Sequence, residues 1–283
     1  MREGIPSRTA FRVAMRRAVH QLFDHPKVLD DPWAVPIVGD AISEICADAS
    51  RHYSWIARRF RAFMVARSRY AEDQLAASVS RVVRQYVILG AGLDTSAFRG
   101  ISVSESLRVF EVDHPQTQAW KKQRLQAASI PIPASVSFVS VDFEHQTLQT
   151  ELEVAGFRAD RPAFISWLGV VPYLTREAAS HTFAFLGSLP EGSGVAFDYA
   201  VEPSSLPWLE RLAVNALSRR VARAGEPFRL FFTSNELDEF LKARGFHRIE
   251  QLASREINER YFSGRSDGLH VAGSAGRIVS AWI

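Results

Sequence analysis

Two glycines that follow a short apolar run are the first residues of this chain whose type and spacing indicate chemistry. The run is YVIL, residues 86–89, and the chain continues as Gly90, Ala91 and Gly92. An apolar run without alternation is typical of a strand buried on both faces of a parallel sheet. Two glycines one residue apart let the backbone turn sharply and approach a ligand closely. The combination favours an adenosine-containing cofactor at the end of the strand, although an ordinary strand-to-helix turn fits the glycines alone equally well.

Acidic residues at the ends of the next two predicted strands favour the same ligand. Asp113 lies 23 residues after Gly90, near the ~20-residue spacing at which a carboxylate reaches a ribose hydroxyl pair. Asp142 and Phe143 follow the third strand, where a carboxylate can accept from an adenine amino group and a ring can flank the base. Each acid alone is also a common helix cap. A nicotinamide site would favour glycine at position 95, where this chain has Thr95.

Strands that alternate with helices must position these residues. The predicted strands cover 86–89, 107–112, 135–141, 163–167, 195–199, 247–252 and 277–283. The helices predicted between them cover 115–128, 145–155, 175–189, 205–224 and 234–245. The first 85 residues are predicted to be all-helical, over 8–22, 42–50 and 53–83, with a break near 67–70. This order predicts a doubly wound α/β sheet.

Composition predicts a well-packed soluble chain. Its 283 residues are 47% hydrophobic, enough for one large domain or one domain with an added lobe. The single cysteine, Cys46, forms no internal disulfide and offers no metal cluster, which favours a reducing compartment. The N-terminus has no apolar leader and no run long enough to span a bilayer. We therefore expect a cytoplasmic protein with no membrane partner and no metal site.

Arginines are concentrated in and just before the third predicted helix. Six of them precede the first acid of this region, Glu72, and they are Arg51, Arg58, Arg59, Arg61, Arg67 and Arg69. A basic helix face can bind RNA or an acidic substrate. A solvated surface is the simpler interpretation, and it is the one we favour.

Taken together, the motifs resemble those of the leucine carboxyl methyltransferase-like family of S-adenosylmethionine-dependent O-methyltransferases, in its bacterial branch. The most specific pair is ILGAGLDT at 88–95 followed by EVDHP at 111–115. Further similar segments are SRTA at 7–10, DPWA at 31–34, ARSR at 66–69, and residues 72–73, 169–174, 226–228, 260–262 and 267–269. The resemblance covers nearly the whole chain.

The resemblance implies a class I methyltransferase fold, in which a seven-stranded, mostly parallel Rossmann-like sheet has an antiparallel last strand. It implies a helical lid over residues 1–85 and a core over residues 86–283, with a helical insertion at about 200–230. The implied cofactor is S-adenosyl-L-methionine. A small-molecule acceptor would lie beneath the lid and the insertion, whose residues would determine specificity.

The resemblance also implies a role for each residue of the cofactor site. Arg67 would bind the methionine carboxylate, for which a guanidinium fork is suited. The glycine turn would approach the ligand, Asp113 would hold the ribose, and Asp142 with Phe143 would hold the adenine. Arg8 would close the lid over the cofactor.

One residue departs from the family pattern. Many members carry glutamate where this chain has Leu168. A carboxylate there would attract the cofactor's ammonium or sulfonium group, whereas leucine offers only its backbone carbonyl. We expect either weaker cofactor binding or a pocket specific to a subgroup.

The acceptor is less well defined than the cofactor. A carboxylate acceptor needs no general base, because it is ionised at neutral pH, whereas a hydroxyl benefits from one. His114 is the nearest candidate base, but we expect it to start a helix and assign no catalytic base. Tyr173 and Tyr199 follow strand ends and are candidate acceptor-binding residues, although tyrosines at such places are as often core residues.

We therefore expect O-methylation of a carboxylate or hydroxyl on a small molecule, without a nucleic-acid partner. Two alternatives stay open. The arginines of the third helix would suit an RNA-directed methyltransferase, and Leu168 would suit a cofactor-binding protein without enzymatic activity. The sequence indicates neither the identity of the acceptor nor the oligomeric state.

Overall fold

Eight strands form one sheet in this computed structural model, which describes residues 8–47, 52–100, 106–142, 145–212, 214, 218 and 227–283. The strands are β1 (Gln85–Leu89), β2 (Arg108–Asp113), β3 (Val136–Ser140), β4 (Ala163–Trp167), β5 (Gly194–Val201), β6 (Phe231–Phe232), β7 (Arg248–Leu252) and β8 (Gly276–Trp282). Seven of them follow the spatial order β3-β2-β1-β4-β5-β8-β7, and β6 pairs with β5.

The sheet is parallel from β3 to β5, and β8 is antiparallel to both β5 and β7. The predicted Rossmann-like α/β fold with an antiparallel last strand is thus confirmed. The sheet has eight strands rather than the expected seven. The additional strand forms because β5 is longer than β4, whose pairing ends at Phe197, so that Phe231 and Phe232 pair with Ala200 and Val201 beyond it.

Helices cover both faces of the sheet. They are α1 (Arg8–Phe23), α2 (Ala41–Ala47), α3 (Trp55–Val79), α4 (Pro115–Ala127), α5 (Leu148–Val154), α6 (Arg176–Gly187), α7 (Ser234–Lys242) and α8 (Ser254–Tyr261). One core cluster joins the sheet to α5, α6 and α7, and a second joins the opposite face to α3 and α8. A third cluster holds α1, α2 and α4 against the segment after β1.

Helix α3 corrects one expectation about the N-terminal region, the predicted helix break. The helix is continuous from Trp55 to Val79, so the break predicted near 67–70 is wrong. It also buries Val65, Ala66 and Tyr70 against the sheet. The part of the predicted lid that α3 forms therefore packs against the sheet as a core layer.

The predicted insertion lies partly outside the described residues. Within it, residues 208–212, 214 and 218 are helical. None of the described helices combines the length with the apolar composition that a membrane span requires.

Candidate active site

The glycine turn lies at the carboxyl end of β1. The amides of Gly90 and Ala91 both donate to the carbonyl of Val112, at 2.9 and 3.1 Å, which holds the turn against β2. Gly90 has a φ of +66° and Gly92 a φ of +47°, a conformation that favours glycine. A Cβ on Gly90 would lie 2.4 Å from Cγ2 of Val170. The turn thus requires glycine for both its conformation and its packing.

Asp113, the last residue of β2, lies beside this turn. Its carboxylate accepts from the amides of Gly92 and His114, at 2.6 and 2.7 Å. Burial raises the pKa of Asp113, and these two amides oppose the rise. His114 is the N-cap of α4, and its Nδ1 accepts from the amide of Gln116 at 3.3 Å. His114 thus starts a helix, as expected.

Asp142 follows β3 at the same edge of the sheet. The amide of the preceding residue, Val141, donates to the carbonyl of Asp113 at 3.0 Å, so the ends of β2 and β3 are adjacent. The carbonyl of Asp142 accepts from the amide of Gln146 at 2.8 Å, which fixes the turn after β3. Phe143 and the side chain of Arg8 lie outside the described residues.

Arg67 reaches this edge from α3. Its Nη1 donates to Oδ2 of Asp198 on β5 at 2.9 Å, and both side chains are buried. Oδ1 of Asp198 accepts from the amide of Gly169, just beyond β4, at 2.6 Å. A Cβ on Gly169 would lie 2.7 Å from Nη2 of Arg67, so the guanidinium rests directly on the backbone. Nε of Arg67 is buried without a hydrogen-bond partner among the described residues.

These contacts form a continuous row along the carboxyl edge of the sheet. The row starts at Asp142, passes Asp113 and the glycine turn, crosses Val170 and Gly169, and ends at Asp198 with Arg67. Leu168 is half-buried and packs into the cluster between α3 and the sheet. The ends of β1 to β4 and helix α3 thus bring the described members of the predicted cofactor set to one edge.

Asp198 is a residue that the sequence reasoning missed. A usable signal was present, because Asp198 interrupts the apolar strand GVAFDYAV. A charge in the middle of a buried strand requires a partner. The partner, Arg67, precedes it by 131 residues.

Arg17 is a second missed residue. From α1 it donates to the carbonyl of Leu93 at 2.5 Å and to Oδ2 of Asp94 at 3.0 Å. Burial by itself would raise the pKa of Asp94, but Arg17 and neighbouring cations outweigh it and lower the pKa to about 2. A Cβ on Gly92 would lie 3.0 Å from Cβ of Ala10. Helix α1 therefore lies directly over the glycine turn.

The two candidate acceptor residues have different surroundings. Tyr173 is half-buried in the turn after β4, and its ring lies 5.1 Å from that of Phe228. Tyr199 is only 1% exposed, and its hydroxyl donates to Gln251 at 2.7 Å. Burial raises the pKa of Tyr199. The structure therefore places Tyr199 in the core with a partner for its hydroxyl, rather than at the surface of a pocket.

The arginine-rich helix does not present one basic face. Arg61 is buried and forms two hydrogen bonds with Asp24, at 2.6 and 2.8 Å, and Arg67 is buried against Asp198. Arg69 is exposed and pairs with Asp73 at 2.8 Å. The solvated-surface interpretation is thus wrong for Arg61 and Arg67, and neither is free to bind RNA. Arg51 lies outside the described residues.

Nothing in the described part of the chain resembles a metal centre. No group of three or more histidine, cysteine or carboxylate side chains there could hold a metal ion.

Comparison with known proteins identifies relatives along most of the chain. Residues 10–187 match the profile of the family described as leucine carboxyl methyltransferase. A Bacillus subtilis (strain 168) protein, provisionally named an S-adenosyl-L-methionine-dependent methyltransferase, is 34% identical over 95% of both chains. A Parafrankia protein (strain EAN1pec) with the same provisional name is 33% identical over 73% of this chain and 69% of its own.

Two solved structures share the fold. A DUF574 family protein from Streptomyces avermitilis has a TM-score of 0.56 at 17% identity, with 96% of both chains covered. A protein from Thermobifida fusca, provisionally titled a methyltransferase, has a TM-score of 0.57 at 15% identity, with 95% of this chain and 93% of its own covered. At these identities the likeness concerns the fold alone.

Proposed function

Because this chain belongs to the leucine carboxyl methyltransferase family, we propose that it transfers a methyl group from S-adenosyl-L-methionine to an oxygen of a small molecule. The observation that supports this proposal most strongly is the row of contacts from Asp113 to Arg67 along the carboxyl edge of the sheet. Ligands of open α/β sheets bind at that edge. The family membership agrees with the resemblance seen in the sequence motifs.

The residues of the row suit the parts of this cofactor. Arg67 would bind the methionine carboxylate, since its guanidinium lies on Gly169 and its Nε has no partner in the described chain. Asp113 would accept from the ribose hydroxyls while it holds the glycine turn. Asp142 with Phe143 would hold the adenine. Leu168 would contribute its backbone carbonyl.

In methyl transfer, the main contribution of this chain would be to align the reactants and to enclose them. S-adenosyl-L-methionine supplies an electrophilic methyl group on its sulfonium. The glycine turn, Asp113 and Arg67 would fix the orientation of the donor, and α1 would exclude water from it. These roles require no group that cycles between acid and base.

The hydrogen-bonding pattern favours an acceptor that is ionised before it binds. Asp113 and Asp198 already accept backbone or guanidinium hydrogen bonds, and His114 caps a helix. A carboxylate acceptor requires none of them as a base. We therefore rank a carboxylate first and a hydroxyl second. Tyr173, beside Phe228, would line the acceptor side.

RNA methylation loses its main support, because Arg61 and Arg67 pair with buried carboxylates. Cofactor binding without catalysis still fits Leu168. The experiment below distinguishes RNA methylation and non-catalytic cofactor binding from the proposed function.

Calorimetric titration of the purified protein with S-adenosyl-L-homocysteine tests the cofactor, and we expect micromolar affinity. Incubation with S-adenosyl-L-methionine and a panel of carboxylic acids, phenols and alcohols tests the acceptor. Formation of S-adenosyl-L-homocysteine that depends on an added acid would support the proposal. No heat of binding would contradict it. Binding without turnover on any acceptor would favour the non-enzymatic alternative. Salt-sensitive binding of RNA would favour the RNA-directed methyltransferase.

A further inference from the structure

We propose that Asp198 is a positioning residue for the amino-acid tail of the cofactor, acting through Arg67. The inference rests on the proposed function, because the tail in question is the methionine part of S-adenosyl-L-methionine. It adds a residue of β5 to a site that the sequence motifs place at the ends of β1, β2, β3 and β4 and on α3.

Asp198 is buried, and its surroundings supply hydrogen-bond donors for its charge. The residue is 5% exposed in the middle of an apolar strand. An ionised carboxylate in such a place is strongly unfavourable unless it is paired and hydrogen-bonded. Oδ1 accepts from the amide of Gly169 and Oδ2 from Nη1 of Arg67. Each oxygen of the carboxylate therefore has its own partner.

These two bonds join three parts of the fold at one point. Asp198 belongs to β5, Arg67 to α3, and Gly169 to the turn after β4. Gly169 has a φ of +71°, and a Cβ there would overlap the guanidinium. The backbone at Gly169 thus makes room for the guanidinium, and Asp198 determines where the guanidinium lies.

Arg67 keeps hydrogen-bonding capacity after this pairing. A guanidinium has five N–H donors in a fixed plane, and the bond to Asp198 uses Nη1. Nε has no partner among the described residues. A second anion can therefore bind the same guanidinium while Asp198 fixes its plane.

The charges of the pair match one class of ligand. Arg67 and Asp198 together present one positive and one negative group, whereas the neighbouring Leu168 presents none. The amino-acid tail of the cofactor carries one carboxylate and one ammonium group. A neutral pair of opposite charges complements such a zwitterion better than an isolated guanidinium would.

A second buried pair on α3 provides a matched control. Arg61 lies six residues before Arg67 and forms two hydrogen bonds with the buried Asp24. Neither residue belongs to the row of contacts at the edge of the sheet. Loss of the Asp24 carboxylate thus has the same structural consequence, a buried guanidinium without its counterion, but no consequence for a ligand tail.

The test compares two ligands that differ only in the tail. S-adenosyl-L-homocysteine carries the amino-acid group, and 5′-methylthioadenosine lacks it. For Asp198→Asn we expect the affinity for S-adenosyl-L-homocysteine, measured by calorimetry, to fall about ten- to a hundredfold. The affinity for 5′-methylthioadenosine should change less than about twofold, because that ligand lacks the carboxylate that Arg67 would bind. Asp24→Asn should leave the ratio of the two affinities unchanged.

Arg67→Lys is the second variant, and it gives an answer even if Asp198→Asn does not fold. Lysine keeps the positive charge but lacks the planar guanidinium. The affinity for S-adenosyl-L-homocysteine should therefore fall relative to that for 5′-methylthioadenosine, as in Asp198→Asn. An equal loss for both ligands, or no loss for either, in whichever variant folds, would overturn the inference and leave the proposed function standing. If the wild-type protein binds neither ligand, the proposed function fails and this inference fails with it.

Discussion

At the scale of residues, two backbone amides and two carboxylates define the edge of the candidate site. The amide of Gly92 donates to Asp113, and the amide of Gly169 donates to Asp198, both at 2.6 Å. Hydrogen bonds to a charged acceptor are roughly twice as strong as neutral ones. Each carboxylate thus has a fixed position before any ligand arrives, which reduces the ordering that binding requires.

Replacement of Asp113 by alanine tests the ribose assignment. Asp113→Ala should weaken the binding of S-adenosyl-L-homocysteine by about 1–3 kcal/mol, because polar groups of the ligand lose their acceptor. Calorimetric titration measures the change. Asp160→Ala is the control, since Asp160 is a surface carboxylate paired with Arg158. Equal affinity of the wild type and Asp113→Ala would remove Asp113 from the site.

Replacement of Gly90 by alanine tests the glycine turn. The left-handed conformation at φ +66° disfavours alanine by roughly 1–2 kcal/mol, and the new methyl group would overlap the stiff side chain of Val170. We expect Gly90→Ala to reduce the free energy of unfolding by at least about 1 kcal/mol, measured by urea denaturation. Gly100→Ala is the matched control, because Gly100 also has a positive φ but no atom of the described residues lies within 4 Å of its Cβ position. A smaller loss for Gly90→Ala than for this control would show that Val170 moves freely.

At the scale of elements, α1 and α3 are attached to the rest of the fold through buried arginines. Arg17 ties α1 to the segment after the glycine turn. Arg61 and Arg67 tie α3 to the loop after α1 and to β5. Both helices thus approach the site with their positions fixed by charge pairs as well as by apolar packing. Both helices belong to the region predicted to be a lid. Helix α3 packs against one face of the sheet, and α1 covers the glycine turn.

The pair of Asp24 and Arg61 makes the attachment of α3 dependent on pH. Burial would raise the pKa of Asp24, but hydrogen bonds from Arg61 and His20 outweigh it and lower the pKa from 3.8 to about 2. A lowered pKa means that the carboxylate stabilises the fold above about pH 4, and that this part is lost as the pH falls towards 2. The difference in pKa corresponds to about 2 kcal/mol.

Asp24→Asn tests this dependence by urea denaturation between pH 7 and pH 3. At neutral pH we expect a loss of about 3–5 kcal/mol, because the buried Arg61 has no counterion. The difference between wild type and variant should shrink below about pH 4. Asp30→Asn, at an exposed pair with Lys27, should change stability by less than about 1 kcal/mol at any pH. A constant difference between wild type and Asp24→Asn down to pH 3 would show that Asp24 titrates normally.

At the scale of the whole molecule, three core clusters meet around the carboxyl edge of the sheet. The clusters on the two faces of the sheet include residues of β1, β4 and β5, and the third holds α1 against the segment after β1. A ligand at this edge would contact elements of all three clusters. Its binding should therefore stabilise the whole fold rather than one element.

Ligand binding can be measured as such a gain in stability. At a free S-adenosyl-L-homocysteine concentration about 100 times its dissociation constant, the free energy of unfolding should rise by about 2.7 kcal/mol. Differential scanning fluorimetry would record this as a higher melting temperature. The Asp113→Ala variant at the same ligand concentration should show a smaller rise. An unchanged melting temperature of the wild type would contradict binding to the folded state.

The features that the sequence determined by itself are local. The apolar run before Gly90, the positions of Asp113 and Asp142 after their strands, and the alternation of strands and helices depend on residues close together in the chain. The parallel order then brings the strand ends to one edge. For these reasons the fold and the glycine turn with Asp113 were predictable from short stretches.

Three features of the secondary structure were not predictable from short stretches of sequence. Helix α8, Ser254–Tyr261, is short and polar and buries only Ile257, so too few apolar residues mark it in the sequence. Strand β6 exists only because β5 extends past β4. A break in α3 was predicted near residues 67–70, yet the helix continues through them.

Only the tertiary structure decided which charges are buried together. Arg67 lies 131 residues from Asp198, Arg17 lies 77 residues from Asp94, and Arg61 lies 37 residues from Asp24. In the sequence these arginines look like surface residues, because a guanidinium is normally solvated. Each arginine can be buried because the fold places a carboxylate beside it. The ion pair offsets the hydration that the guanidinium loses on burial. A pattern of neighbouring residues carries no information about such a partner.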